Sequence, residues 1–175
     1  MPKEAWQSGA AADGRGIVLW VPSGGIADVN APTAAELTAG TVKRITYGLA
    51  ADGFVLEPTI NSFTASRYTG DQELESEGTK NFKLTLKWVY NRTSPTAVET
   101  ALGTPDTEGY IVQILGYPND HTITDGVTIC NAVVPVRTGT VVDVPPVANS
   151  ELMKTMVPDI IGAVGLEVLV GGDES

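Results

Sequence analysis

The segment FKLTLKWVYN, residues 82–91, alternates apolar and polar side chains and is the feature that most constrains the fold of this chain. Its even-numbered side chains from position 82 to 90 are apolar, whereas Lys83, Thr85 and Lys87 are polar. A strand separates two such sets onto opposite faces because its side chains repeat every two residues. The pattern therefore predicts a strand with one face on a core and the other in water, as is common in antiparallel sheets.

Several other segments favour strands, and the spacing between them favours an all-β architecture. GIVLWVP at 16–22 is a short apolar run that predicts a buried strand, and GYIVQILGYP at 109–118 is a nearly continuous apolar run that predicts a central strand. VTICNAVVPV at 127–136 predicts another strand, and Pro135 places its end at a sheet edge or a bulge. The 19 glycines and 11 prolines supply turns between short strands. The predicted fold class is mainly β: an antiparallel β-sandwich or partial barrel of eight to ten strands with one or two short flanking α-helices.

Two similar nonapeptides, PTAAELTAG at 32–40 and PTAVETALG at 95–103, predict the short helices. Each has Thr and Glu at the spacing of a capping box, in which the two side chains bond to the first-turn backbone. Pro near the first helical position costs little, and Gly40 and Gly103 lie where a left-handed C-cap is expected. In the second nonapeptide Ser94 is an alternative cap, with Pro95 at the first helical position. Because the flanking segments do not match, we interpret the pair as two local helix signals and not as a duplicated unit.

The predicted organisation is one domain with polar ends. Residues 1–15 are small and polar and predict a flexible N-terminal arm, residues 16–170 form a single β domain, and 171–175 form a frayed acidic C-terminus. Trp6 is the one large aromatic residue in the N-terminal arm. It is either a docking anchor for another subunit or a side chain that packs on its own domain.

Residues 64–81 predict a long polar loop, which is uncommon in a compact domain unless it has a function. This segment is either a solvated charged run or a protruding hairpin tip that contacts a neighbouring subunit. Lys83 and Lys87 are either a solvated strand face or ion-pair partners for that acidic loop in another copy. The candidate inter-subunit contact residues are Trp6, Asp71, Glu73, Glu75, Glu77, Lys83 and Lys87.

Charge and motifs argue against several function classes. The formal net charge of −10 disfavours binding to DNA phosphates. Cys130 is the single cysteine, so no intrachain disulfide is possible, and His121 is the single histidine. The chain has no phosphate-binding loop, no zinc-protease motif and no nucleophile elbow, and it shows neither a secretory signal nor a membrane-helix run. We therefore expect no enzyme activity, no cofactor and no metal.

The order of these segments resembles the major tail proteins, or tail tube proteins, of long-tailed non-contractile phages, especially those of actinobacterial hosts. The resemblance rests on NAPTAAELTAGTVKRITYGLAADGF, on the polar segment before KNFKLTLKWVYN, on the following helix with GYIVQILGYP, and on VVPVRTGTVVDVPP. It spans most of residues 16–145.

The resemblance implies a structural role. Such proteins form hexameric rings whose sheets join into a barrel, and the rings stack into a tube around a tape-measure protein. Tail terminator and distal tail proteins are further implied partners, and DNA passes through the lumen without specific binding. The implied location is the virion tail, assembled in the bacterial host cytoplasm. By analogy, the segment 64–81 and both termini bridge adjacent rings.

Two alternative functions stay open at this point. One is another tail or head component, or a secretion-system tube protein, on a related sandwich. The other is a β-sandwich module that binds a ligand, although its expected cluster of exposed aromatic residues near loops is absent from the sequence pattern.

Overall fold

A computed structural model describes residues 5 and 7–172, and two antiparallel sheets dominate this part of the chain. Its strands are β1 (Gly16–Pro22), β2 (Lys43–Arg44), β3 (Leu49–Ala65), β4 (Leu74–Val89), β5 (Glu108–Leu115), β6 (Ile129–Arg137), β7 (Val141–Asp143), β8 (Met153–Met156), β9 (Asp159–Ile160) and β10 (Gly165–Leu169). The α-helices are α1 (Ala34–Leu37) and α2 (Ala97–Leu102), and a 3-10 helix covers Thr46–Gly48.

The strands divide into a six-stranded and a four-stranded sheet. The larger sheet runs β10-β6-β5-β1-β2, with β9 also paired to β6, and the smaller runs β3-β4-β8-β7. All pairings are antiparallel. The predicted β-sandwich with short helices is confirmed, and neither sheet closes into a barrel. The prediction that residues 109–118 form a central strand is also confirmed, since β5 lies between β6 and β1.

The two sheets differ in how many of their faces are covered. In β1, Val18 and Trp20 point into a core shared with the four-stranded sheet. Their neighbours Ile17 and Leu19 point into a second core on the opposite face, which α1 and the preceding loop cover. A strand buried on both faces has no polar side to present, which explains the continuous apolar runs in β1, β5 and β6.

The four-stranded sheet is covered on one face only. Leu84, Leu86 and Trp88 of β4 are fully buried in the shared core, whereas Lys83 on the opposite face is exposed. Burial of each large apolar side chain contributes roughly 1.5–3 kcal/mol. The alternating pattern of β4 therefore corresponds to a strand with one face in the core and the other face open, as the sequence predicted.

The two helices begin as predicted but end differently. Thr33 forms the full capping box: its hydroxyl accepts from the Glu36 amide, and the Glu36 carboxylate accepts from the Thr33 amide. Thr96 caps α2 in the same way, but the carboxylate of Glu99 is used elsewhere. The predicted left-handed C-caps are wrong, because α1 ends at Leu37 and Gly103 has a right-handed φ of −73°.

The predicted loop at 64–81 is largely strand. β3 continues to Ala65, residues 66–73 form the turn, and β4 begins at Leu74. The polar composition misleads because a two-stranded ribbon that extends beyond the core needs no apolar face. The long segment is therefore the outer part of a hairpin.

The ends of the domain are only partly described. Residues 7–15 are exposed and contain no helix or strand, and Trp6 lies outside the described residues. At the other end, the Gly171 amide donates to the Pro32 carbonyl at 2.7 Å, so the chain is held in place one residue beyond the predicted domain. Positions 173–175 of the predicted frayed C-terminus lie outside the described residues.

Candidate functional site

The outer part of the β3–β4 hairpin projects beyond the sandwich. We call residues 59–81 the hairpin arm. β4 pairs with β8 only from Leu86 to Val89, and within the described residues β3 has β4 as its single partner strand. The pairing of β3 with β4 continues to Ala65 opposite Leu74, which adds roughly 20 Å of ribbon at about 3.3 Å per residue. Both edges of the hairpin arm consequently carry unpaired backbone groups.

A β-bulge divides the hairpin arm into two parts. Ile60 lies opposite Lys80 and Ser62 lies opposite Glu77, so two residues of β4 face the single residue Asn61. Gly78 fits there because a side-chain carbon at this position would lie 2.8 Å from the Asn61 carbonyl oxygen. The extra residue reverses which face of β4 the odd-numbered side chains occupy.

The bulge separates the predicted contact residues. Without it, Glu75 and Glu77 would share a face with Lys83 and Lys87, because all four positions are odd. With it, the two glutamates lie on the face that continues the core side, and the two lysines lie on the open face. Asp71 and Glu73 are in the turn beyond both.

The hairpin arm exposes apolar side chains. Phe63 of β3 is 55% exposed and Tyr68 in the turn is almost fully exposed. Ile60 and Leu74 are also exposed large hydrophobic residues. Apolar side chains on a ribbon with free edges are a liability for a lone subunit and are typical of a surface that another chain covers. These features make the hairpin arm the best candidate functional surface among the described residues.

Several of the predicted contact charges already have partners within the subunit. Lys87 Nζ lies 3.2 Å from Asp52 Oδ2, and Glu77 pairs with Lys80 at 3.0 Å. Lys83 lies directly opposite Glu57 in the ladder, but the two side chains form no ion pair. Asp71, Glu73 and Glu75 likewise form no ion pair with a described residue.

A partly buried charge network fixes the end of the four-stranded sheet to α2. Glu99 accepts from Trp88 Nε1 at 2.8 Å and from Lys154 Nζ at 2.7 Å. Burial raises the pKa of Glu99, but the hydrogen bonds from Lys154 and Trp88 and the nearby positive charges outweigh it, so this pKa is lowered. The network ties β4, β8 and α2 together.

His121 and Cys130 are the side chains best suited to catalysis or metal binding, and each has a structural environment. His121 Nε2 lies 2.9 Å from the Thr128 hydroxyl oxygen, and its ring stacks on Tyr117 at 4.3 Å. Burial raises the pKa of the Cys130 thiol to about 11, which suppresses the reactive thiolate. No group of three potential metal ligands occurs among residues 5 and 7–172.

Comparison with known proteins assigns the chain to a family. A family model described as phage tail tube protein matches residues 4–171, nearly the whole sequence. The chain belongs to the phage tail tube protein family. It is thus a structural protein of the phage tail and a component of the virion, and the resemblance noted from the sequence is confirmed.

One solved structure extends this comparison to the fold. A chain of the anti-feeding prophage baseplate, determined by cryo-electron microscopy and six-fold symmetrised, matches with a TM-score of 0.50 and 12% sequence identity. The match covers 93% of this chain and all of the other. At that identity it shows a shared fold. No curated protein matches. Among the described residues, no helix is both long and apolar enough to cross a membrane.

The sequence analysis did not predict the free edge of β3 or the bulge in β4, although two sequence signals point to them. Pro58 lies within β3, and proline in a strand favours a sheet edge because it has no amide hydrogen to donate. Gly78 interrupts β4, and an isolated glycine in a strand often marks a bulge.

Proposed function

We propose that copies of this chain join edge to edge through the four-stranded sheet into hexameric rings, and that the rings stack into a tail tube through which DNA passes. The observation that carries the proposal is the long, unpaired edge of β3 with its apolar hairpin arm. An edge of this kind is stable when another strand pairs with it, and a closed ring leaves none of these edges free. β7 forms the other edge of the same sheet and is the proposed matching surface on the neighbour; it has only three residues, so the long edge of β3 and the hairpin arm carry most of the proposed contact.

The six-stranded sheet is a poorer candidate for such pairing. One of its edges, β2, has only two residues. Its other edge, β10, contains Glu167 with a φ of +50°, a left-handed conformation that is uncommon for a residue other than glycine. A distorted or very short edge resists the addition of a strand. The four-stranded sheet, whose edge strand β3 has 17 residues, is the better surface for assembly.

The position of the core sets the orientation of the sheet in such a ring. The six-stranded sheet and both cores lie on one side of the four-stranded sheet. A ring built from the smaller sheets therefore has room for the rest of each subunit only on its outside. The open face that carries Lys83 and Lys87 would then line the lumen.

The hairpin arm extends beyond the sandwich and is our candidate contact between stacked rings. Its exposed Phe63 and Leu74 supply apolar area, and Asp71, Glu73 and Glu75 supply charges that form no ion pair with a described residue. Trp6 stays a predicted contact. Heterologous contacts that do not close generate a filament, as a tube requires. Further proposed partners are the tape-measure, tail terminator and distal tail proteins, with assembly in the host cytoplasm.

Negative-stain electron microscopy of the purified protein tests this proposal. We expect six-fold rings or tubes from the wild-type chain and their loss in Phe63→Asp, because a carboxylate would be buried at the contact. Val127→Asp is the matched control, since Val127 is 60% exposed and lies in a loop outside the four-stranded sheet. A wild-type chain that stays monomeric at high concentration, or equal assembly by Phe63→Asp, would contradict the proposal.

A further inference from the structure

We infer that Asp52 and Glu57 neutralise the lysines of the open sheet face, so that this face does not bind the phosphates of passing DNA. The inference rests on the proposed function, because it takes the open face of the four-stranded sheet as the lumen wall. It adds a role for two acidic residues that the sequence did not single out.

Among the described residues, the open face has two cationic side chains, and each has an acid next to it. Residues directly opposite in a ladder share a face, so Lys83 and Glu57 lie side by side, with β-carbons about 4.5–5.5 Å apart. Lys87 is held by Asp52, with 3.2 Å between the ammonium nitrogen and the carboxylate oxygen. The four charges sum to zero within one short stretch of the hairpin.

The remaining side chains of this face are neutral. Thr85 lies between the two lysines and opposite Val55. Thr155 of β8 lies opposite Lys87 and continues the face toward Val142 of β7. Among the described residues of this face, Lys83 and Lys87 are thus the groups able to capture phosphate.

Unscreened lysines would be costly in a conduit. Each lysine that contacts a phosphate releases counterions and strengthens binding, and each contact steepens the dependence of log affinity on log salt by about 0.9. A hexameric ring would repeat both lysines in every copy and at every level of the tube. Asp52, which forms an ion pair with Lys87, and Glu57, which lies opposite Lys83, offset this attraction, and they also avoid the mutual repulsion of an entirely acidic lumen.

The test compares the DNA binding of variants in which acidic side chains are replaced by the uncharged amides of the same size. The double variant Asp52→Asn with Glu57→Gln keeps side-chain size and frees both lysines. The control variant Asp120→Asn with Glu151→Gln makes the same change in net charge at exposed acids that lie outside the four strands and form no side-chain bond with a described residue. Binding of a fluorescein-labelled 20-base-pair duplex is followed by anisotropy between about 50 and 200 mM salt.

We expect the Asp52/Glu57 variant to bind the duplex at least about tenfold more tightly than wild type at about 50 mM salt, with a salt slope steeper by about 1.8. The control should match wild type. Adding Lys83→Gln and Lys87→Gln to the Asp52/Glu57 variant should remove the gain. The single variant Glu57→Gln serves if the double variant does not fold, and it should show about half of the slope change.

Two outcomes separate this inference from the proposed function. Equal duplex binding by the Asp52/Glu57 variant and its control, with normal tubes in microscopy, overturns the screening role and leaves the tube proposal standing. Absence of rings and tubes from the wild-type chain overturns the tube proposal, and the screening inference falls with it.

Discussion

Replacing Lys154 with methionine should reduce the free energy of unfolding by about 2 kcal/mol at neutral pH. The change removes the 2.7 Å hydrogen bond from Lys154 to Glu99, whose side chain is only 24% exposed. A hydrogen bond to a charged group contributes about 1.5–3 kcal/mol, and the ammonium group also lies 4.7 Å from the Tyr90 ring centroid. Methionine keeps most of the aliphatic stem, so the loss is mainly electrostatic.

Arg137→Met is the matched control for this prediction. Arg137 pairs with Glu108, but both side chains are almost half exposed. Solvent-exposed ion pairs contribute about 1 kcal/mol or less, since water and salt screen them. The two variants lose the same kind of interaction and differ in its burial.

The cost of Lys154→Met should also depend on pH. The pKa of Glu99 is lowered in the folded state from its ordinary value of 4.5. Its ionisation therefore stabilises the fold above that ordinary value, and this contribution disappears as the pH falls through the lower folded pKa. The difference between wild type and Lys154→Met should be complete at pH 7 and shrink in acid.

Urea unfolding followed by tryptophan fluorescence measures both effects, because Trp88 itself bonds to Glu99 and reports directly on the network. Equal losses for Lys154→Met and Arg137→Met at pH 7 would refute the reasoning. A wild-type advantage over Lys154→Met that stays constant into acid would refute it as well.

Three further predictions concern the hairpin, the thiol and the core. Gly78→Ala should reduce amide-exchange protection in the hairpin arm, because the added carbon meets the Asn61 carbonyl. Gly40→Ala is the control, since Gly40 has open space around it and its replacement should leave this protection unchanged. Equal protection in the two variants would contradict the assigned bulge. Cys130 should resist alkylation at pH 8 until the chain unfolds, since its thiol is buried with a raised pKa of about 11; fast labelling of folded protein would contradict this. Leu84→Ala should cost about 2–5 kcal/mol in urea unfolding, because the side chain is fully buried, and a smaller loss would show that the site collapses.

Local sequence patterns predicted the elements whose conformation depends on near neighbours. The alternation around Leu84 and Leu86 gave a strand with one buried face, and the Thr33 and Glu36 pair gave a helix start that the structure forms in full. These signals work because side-chain periodicity and capping bonds act over two to four residues. The family resemblance likewise came from the order of such segments.

Local sequence failed where distant residues compete for the same group. Glu99 has the same spacing from Thr96 as Glu36 has from Thr33, yet its carboxylate serves Lys154, 55 positions away, and Trp88. A charge-assisted bond in a partly buried site is stronger than a bond to one exposed helix amide, so tertiary contacts override the capping box.

The open face of the four-stranded sheet was likewise decided by tertiary structure. The sequence placed Lys83 and Lys87 on one strand face, but not the acids beside them. Asp52 reaches Lys87 across 35 residues because the β3–β4 ladder has an irregularity between Leu49 and Phe54, opposite Lys87. A second irregularity, the bulge at Gly78, moves Glu75 and Glu77 to the other face. Strand register is set by the pairing of whole strands and by the core, and no local pattern contains it.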